Sequence, residues 1–340
     1  MNKQYPLFVR ITIFLLFTTL FFHGLVMARE FLYPIAIAVL FSGLLYPLVR
    51  LLEQYRFPRV AAILTAILAG VLVIGGLVYL LGSQLSVFVD NFESIKSKAG
   101  ENIHGIQQFM KRNIGIETDS ENGTWPLNNI NSMMGDIFSA TTGTLVKIGL
   151  QPVYVFFFLY YREKFNRFIY KIVPDRKHET LGNIIRDFSL IAKNYVGGLF
   201  VVVLILCVLN SLGLWIIGLK YALLFGILSA IMNFIPYFGT LIGASIPLTY
   251  AFLVDSPSRG LYVAVFFLVI QFTENNILTP RITGGYVNIN PIITILGIIV
   301  GGMVWGIPGM FLSVPALAVL KTICANIESL NPIAYLLDRK

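Results

Sequence analysis

The chain is expected to fold as an all-α, polytopic integral membrane protein with about seven to eight membrane segments, some of them broken or re-entrant, and a helical hairpin arm outside the bilayer. Three observations predict this. Of 340 residues, 56% are hydrophobic and only 12% are charged, whereas soluble domains carry about 25% charged residues. Apolar runs recur at the length of roughly 20 residues that a helix needs to cross about 30 Å of hydrocarbon. Between two of these runs, a polar segment keeps apolar side chains at helical spacing.

The runs are Leu7 to Ala28, Phe31 to Val49, Val60 to Gly82, Gly143 to Tyr160, Tyr195 to Gly218, Leu261 to Leu278 and Pro291 to Leu320. The first is too long for the apolar core of a signal peptide and is followed at once by the second, so it reads as a retained helix. An eighth stretch, Tyr221 to Val254, is too long for one plain helix and too broken for two complete ones. The chain thus divides into first membrane segments (1–82), the arm (83–142), a span (143–160), basic interfacial helices (161–193), a membrane core with broken helices (194–325) and a tail on the cytoplasmic side (326–340).

The net charge of +8 is a topology signal and requires no nucleic acid. Basic residues gather at 50, 56 and 59 and at 162, 164, 167, 171, 176, 177, 186 and 193, so both loops are expected in the cytoplasm. Positions 83 to 142 hold four basic against seven acidic residues and suit the opposite side. Cys207 and Cys324 are isolated in apolar segments and read as packing residues, with no metal-ligand spacing. No cofactor is expected, since no phosphate-binding glycine loop, Ser/His/Asp set or metal constellation occurs; the chain does not read as an enzyme.

In the arm, Leu85, Phe88, Phe92, Ile95, Ala99, Ile103, Ile106, Met110 and Ile114 recur every three or four residues until the turn formers of Gly115 to Pro126. Ile130, Met134, Ile137 and Thr141 then resume the pattern, so the stripe packs either on the returning limb or on other copies of the chain. In the basic loop, Phe165, Phe168, Ile169 and Ile172 face away from Lys164, Arg167 and Lys171. That pattern suits a helix lying in the membrane surface.

Polar groups enter the membrane in three places. Asn233, Pro236, Gly239, Gly243 and Pro247 interrupt Ile231 to Pro247, while Gly306, Pro308, Gly309 and Pro315 interrupt Trp305 to Pro315. Interrupted helices survive in a bilayer only when buried in protein or lining a wet cavity, and paired ones point to a transport site. G-x-x-x-G occurs at 239/243, 297/301 and 302/306, a spacing that lets helices approach closely. The third place is Q-F-T-E-N-N-I-L-T-P at 271–280, where Glu274 stands beside Gln271, Asn275 and Asn276 and Pro280 is expected to end the helix. A charge costs about 2.5–3.5 kcal/mol at a membrane helix centre. Glu274 therefore reads either as a functional carboxylate or as an interfacial partner of Arg281.

The stretches N-F-I-P-Y-F-G-T-L-I-G-A-S-I-P, E-N-N-I-L-T-P-R-I-T-G with V-N-I-N-P, and G-G-M-V-W-G-I-P-G-M-F-L-S-V-P-A-L-A-V-L-K together resemble the autoinducer-2 exporter (AI-2E) family of bacterial membrane permeases. The resemblance covers nearly the whole chain. Position by position, it falls on Pro236, Tyr237, Gly239, Gly243 and Pro247, on Glu274, Asn275, Asn276, Pro280 and Pro291, and on Gly306, Gly309, Pro315 and Lys321. Pro308 departs from the pattern and leaves the local backbone of the last span open. The resemblance implies an all-helical inner-membrane protein, export of autoinducer-2 or Na⁺(Li⁺)/H⁺ antiport, and homopentamers.

Three functions follow for testing. An exporter of a small polar solute would use Asn233, Tyr237, Gln271, Asn275 and Asn276 as neutral donors and acceptors, with Glu274 accepting solute hydroxyl hydrogens or carrying the coupling proton. An antiporter would exchange a proton for transient Na⁺ at Glu274, with carbonyls freed near Pro236 and Pro308 completing an oxygen cage. An oligomeric scaffold would depend chiefly on the arm.

Overall fold

A computed structural model of the chain describes residues 6–114, 150–236, 238–283 and 288–339. Among the described residues the elements are helices, with one isolated antiparallel bridge between Ile289 and Asp338. In chain order they are α1 (Leu7–Met27), α2 (Arg29–Gln54), α3 (Arg59–Asp90), α4 (Phe92–Ile114), α5 (Leu150–Tyr160), α6 (Arg162–Ile172), α7 (His178–Leu190) and α8 (Gly197–Ile216). There follow α9 (Ala222–Met232), α10 (Gly239–Tyr250), α11 (Pro257–Thr273), α12 (Thr279–Thr283), α13 (Pro291–Trp305), α14 (Ile307–Ala325) and α15 (Asn331–Leu337). Wide π-helical turns at Ile191–Val196, Ala251–Asp255 and Glu274–Leu278 join α7 to α8, extend α10 and join α11 to α12.

Six helical stretches are long and apolar enough to cross a membrane, and shorter apolar helices accompany them. The protein is therefore an all-α, multi-pass membrane protein. The stretch 221–254 becomes two short helices, α9 of 11 residues and α10 of 12. At 1.5 Å per residue neither crosses the hydrocarbon alone.

The chain forms two compact units. One comprises Met1–Ile63, Gln151–Val196 and Tyr286–Lys340. Within it the two basic loops expected on one side are tied together: Arg59 pairs with Glu163 at 3.0 Å and Arg162 with Glu53 at 2.8 Å. Arg59 also donates to the Tyr160 carbonyl at 2.7 Å. These bonds put the two loops at the same membrane surface. The α2 helix ends in a paired-turn cap, with Phe57 N–H to Leu52 O and Arg56 N–H to Glu53 O, and Arg56 takes the left-handed conformation usual for glycine there.

The run Pro291 to Leu320 breaks inside Trp305 to Pro315, where its glycines and prolines stand. Gly306 adopts φ 66 and ψ −142, a conformation essentially open only to glycine, and the chain reverses into the α13–α14 hairpin. Pro308 lies in the first turn of α14, where a missing N–H orphans no carbonyl. The helices touch backbone to backbone, since a Cβ on Gly309 would lie 1.9 Å from the Gly301 carbonyl oxygen and one on Gly297 would strike Leu317. Ser313 fastens the contact by donating to Gly297 O and Gly309 O at 2.8 and 2.7 Å. The 297/301 spacing thus serves close packing, whereas in 302/306 the second glycine makes the turn. Lys321 donates to Asn288 O and Asp338 at 2.5 and 3.1 Å, and Asn290 N–H to Leu337 O at 2.9 Å. These bonds clasp α15 to the segment before α13, beside a cavity of about 230 Å³ that Asp187, Asn326 and Lys321 help to line.

The other unit comprises Leu64–Leu150 and Gly197–Gly285. Here α8, α9 and α10 form successive antiparallel hairpins. Gly218 (φ 82) closes the first, with Leu219 N–H to Leu214 O and Gly218 N–H to Trp215 O. Cβ atoms on Gly226, Gly239 and Gly243 would lie 2.4, 2.1 and 2.6 Å from backbone atoms of Ser211, Met232 and Ser229. The first part of the arm's stripe has a partner that the sequence did not suggest. Leu85, Phe88 and Ile95 pack on a cluster containing Tyr221, Phe225, Tyr250 and Ala251, and Asn102 donates to Leu253 O at 2.8 Å. The turn formers from Gly115 and the returning limb lie outside the described residues.

Gly309→Ala is predicted to lower stability by about 1–3 kcal/mol or more, because a methyl group inserted against a fixed backbone must displace a helix. Gly75→Ala, where a Cβ meets nothing within 4 Å, should leave the melting temperature of the detergent-purified protein unchanged. Equal melting temperatures for the two variants would refute the hairpin packing.

Candidate functional site

Glu274 opens the π-helical turn after α11 and is only 6% exposed. The turn's defining bond runs from Thr279 N–H to Glu274 O, five residues back. Pro280 does not end the helix, contrary to the sequence reading. The helical course continues from Pro257 to Ile282, because the wider turn just before the proline relieves the clash of its ring with the carbonyl four residues back.

Asn233, directly after α9 and 7% exposed, donates its Nδ2 hydrogen to Glu274 Oε1 at 2.5 Å. The bond joins residues 41 apart in sequence. Glu274 Oε2 is buried and has no hydrogen-bond partner among the described residues. The interfacial Glu274–Arg281 alternative is corrected: Glu274 is buried, and no such ion pair occurs among the described residues.

The remaining amides separate. Gln271 is half-buried one turn before Glu274, but Asn275 and Asn276 are exposed on other faces, and Asn276 donates to Phe272 O at 2.8 Å. Successive residues in a continuing helix diverge by about 100°, so neighbours of a buried carboxylate point elsewhere. Tyr237 lies outside the described residues. Pro236 sits in the α9–α10 turn, where Phe238 N–H reaches Pro236 O and Gly239 N–H reaches Ile235 O. Gly239 and Gly243 seat α10 on α9, and Pro247 is buried inside α10. Gly306, Pro308, Gly309 and Pro315 belong to the hairpin of the other unit. Since Pro308 frees no carbonyl, the oxygen cage expected from that region loses one of its sources.

Sequence reading missed a second buried polar group in this unit. Asn210 of α8 donates to Ser229 Oγ at 3.0 Å, and Ser229 donates to Gly226 O at 3.0 Å. Among the described residues, Asn210 Oδ1 and the Ser211 hydroxyl are buried without partners. Ser229 and Asn233 stand four residues apart on one face, about 6 Å along the α9 axis, so α9 carries the partners of both orphaned acceptors one turn apart. A signal was available: Asn and Ser side by side in the apolar run 197–216, opposite an i, i+4 polar pair. In an apolar interior, a polar group without a partner costs about 1–3 kcal/mol by mutational measure. An ionised carboxylate and an amide oxygen accept hydrogens only, so with Glu274 ionised the pair suits a ligand that brings donors. Among the described residues no three His, Cys, Asp or Glu gather as a metal site.

The AI-2E family transporter model matches residues 11–329. The chain belongs to the AI-2E family. The provisionally named transport proteins YueF and YrrI of Bacillus subtilis are similar to it. YueF is 30% identical over 319 residues, covering 86% of this chain and 84% of YueF. YrrI is 29% identical over 307 residues, covering 85% of this chain and 84% of YrrI. The AI-2 transport protein TqsA of Escherichia coli is 22% identical over 325 residues, covering 93% of this chain and 91% of TqsA. Family and spans together make the protein a multi-pass membrane transporter.

The Asn233–Glu274 bond should show as coupling in a double-mutant cycle. Asn233→Ala and Glu274→Ala are each expected to destabilise the protein, with an interaction energy of about 1–3 kcal/mol between them. Additive melting shifts would mean that the bond contributes nothing. Asn275→Ala, on an exposed face, should stay within about 0.5 kcal/mol of wild type.

Proposed function

We propose that the protein exports a small, hydroxyl-rich, uncharged solute of the autoinducer-2 class, which binds at Glu274 and Asn233 and reaches the Asn210–Ser229 pair one turn away. The observation that carries the proposal is the buried Glu274 Oε2 without a partner, backed one turn away by Asn210 Oδ1. Each is an acceptor in an apolar surrounding, and a solute hydroxyl donates what each lacks. The Ser211 hydroxyl both donates and accepts, which suits the same class of ligand. TqsA, named an AI-2 transport protein, supports the solute class at 22% identity. The proposal includes a cytoplasmic-membrane location and assembly into a homo-oligomer, both implied by the family resemblance.

Transport follows from the same chemistry. Leaving water costs a polyol its hydrogen bonds, and a pair of acceptors inside the protein returns part of them. A hydrogen bond to a charged group is worth about 1.5–3 kcal/mol, so one such bond changes affinity by about ten- to a hundredfold. Exporting the solute down its gradient requires no nucleotide site.

In liposomes of purified protein, Glu274→Gln is expected to cut flux of labelled autoinducer-2 about ten- to a hundredfold below saturation, and Asn210→Leu to raise the half-saturating concentration. Wild-type flux retained in both variants would remove the site. A pH-sensitive dye inside the same liposomes decides against the ion-exchange alternative. Na⁺- or Li⁺-dependent proton movement that vanishes in Glu274→Gln, without solute flux in wild type, would make the carboxylate a cation site and overturn the proposal.

A further inference from the structure

Helix α6 is a second place where the protein meets a ligand class, independent of the transport site. It starts one residue after α5, an apolar helix that ends at Tyr160. Tyr160 and Tyr161 are both exposed, as aromatic residues at a membrane boundary are. The first turn of α6 is pinned to the start of α3, a second membrane helix, through Arg59 and Glu163 at 3.0 Å. Both anchors hold the start of α6 at the membrane–water boundary.

Along its 11 residues α6 buries no side chain. Phe165, Phe168, Ile169 and Ile172 are 46, 60, 40 and 65% exposed, and their spacing puts them on one face. Lys164, Arg167 and Lys171 each precede one of these residues, so a basic stripe flanks the apolar one about 100° round the helix. Glu163 is the only acid in α6, and it is engaged by Arg59 and by Arg167 at 3.8 Å. Lys164 and Lys171 have no carboxylate partner among the described residues. The far end is fixed by His178, whose Nε2 lies 2.9 Å from both Tyr170 O and Val173 O. Carbonyls only accept, so Nε2 carries the proton that caps α6 where the chain turns into α7.

We propose that α6 lies in the bilayer surface with Phe165, Phe168, Ile169 and Ile172 among the acyl chains, and that Lys164, Arg167 and Lys171 bind the phosphates of anionic lipids. Charge complementarity selects this occupant. A protein partner would have to bring acidic groups along one flank of an apolar stripe at a membrane boundary, whereas an anionic leaflet offers both chemistries at the right depth. Each basic side chain near such a surface is worth about a fivefold gain in affinity.

The test uses the full-length protein in phosphatidylcholine liposomes with traces of spin-labelled phosphatidylglycerol or phosphatidylcholine. The relative association constants are read from the motionally restricted component of the spectrum. Wild type is expected to prefer phosphatidylglycerol several-fold, and K164Q/R167Q/K171Q to lose more than half of that preference. An unchanged preference in the triple variant overturns the proposal. A second measurement needs no variant: backbone amides of 165–172 should exchange hydrogen more slowly when phosphatidylglycerol is added to the bilayer, and an equal rate with or without it also overturns the proposal. Free inorganic phosphate at millimolar concentration should leave exchange unchanged. Slowing by phosphate alone would make the site one for a soluble anion.

Discussion

Hydrocarbon supplies no hydrogen bonds, and this constraint governs every irregular feature of the molecule. A helix meets it by itself; a turn, a proline or a polar side chain must meet it through a neighbour. The α13–α14 hairpin does so with Ser313, whose hydroxyl reaches carbonyls of both limbs. The α9–α10 turn does so with short-range backbone bonds from Asn233, Phe234, Ile235, Phe238 and Gly239. Glycines at 226, 239, 243, 301 and 309 bring the backbones close enough for such bonds to form. Polar satisfaction and close packing are one requirement here, because a carbonyl is reached only where no side chain holds the helices apart.

Against that background the few groups left unmet stand out. Glu274 Oε2, Asn210 Oδ1 and the Ser211 hydroxyl are buried without partners among the described residues, as are the Tyr221 hydroxyl and Asp255 Oδ2 of the same unit. Glu53 Oε1 and Arg162 Nη1 of the other unit also lack partners, but Glu53 and Arg162 already pair with each other. Glu274 bonds an amide and Asn210 a hydroxyl, so neither has a counter-charge beside its free oxygen. A buried polar group left in that state calls for a physical explanation.

Much of the architecture was legible in the sequence. The apolar runs marked the long helices, the G-x-x-x-G pairs at 239/243 and 297/301 marked real backbone contacts, and Glu274 stood out as a carboxylate in an apolar setting. Local spacing failed where the answer depended on distant partners. Pro280 reads as a stop, yet a π turn carries the helix through it. Asn275 and Asn276 adjoin Glu274 in sequence and diverge from it in space, while its actual partner, Asn233, lies 41 residues away. Gly306 and Pro308 marked the break after α13, but not that the chain reverses there, because both limbs of the hairpin are equally apolar and hydropathy alone reads one long span. Arm residues such as Phe88 announced burial without naming its partner, since an amphipathic stripe fixes a face and says nothing of what covers it.

The rigidity around Glu274 bears directly on how its unmet oxygen can be used. The α9 helix is fixed on one side by Gly226 against Ser211 and on the other by Ser229 against Gly243, so Asn233 is held in place before any ligand arrives. The carboxylate therefore does not gain its first bond at the expense of ordering a loop, and a donor reaching Oε2 adds its bond to a site already formed. Preorganisation of this kind converts more of each hydrogen bond into affinity. The π turn supplies what rigidity alone lacks. Its i→i+5 bonding is less tight than the α-helix on either side, and Glu274 sits at its first position. One wall of the candidate site is thus a locked hairpin and the other a locally loosened helix.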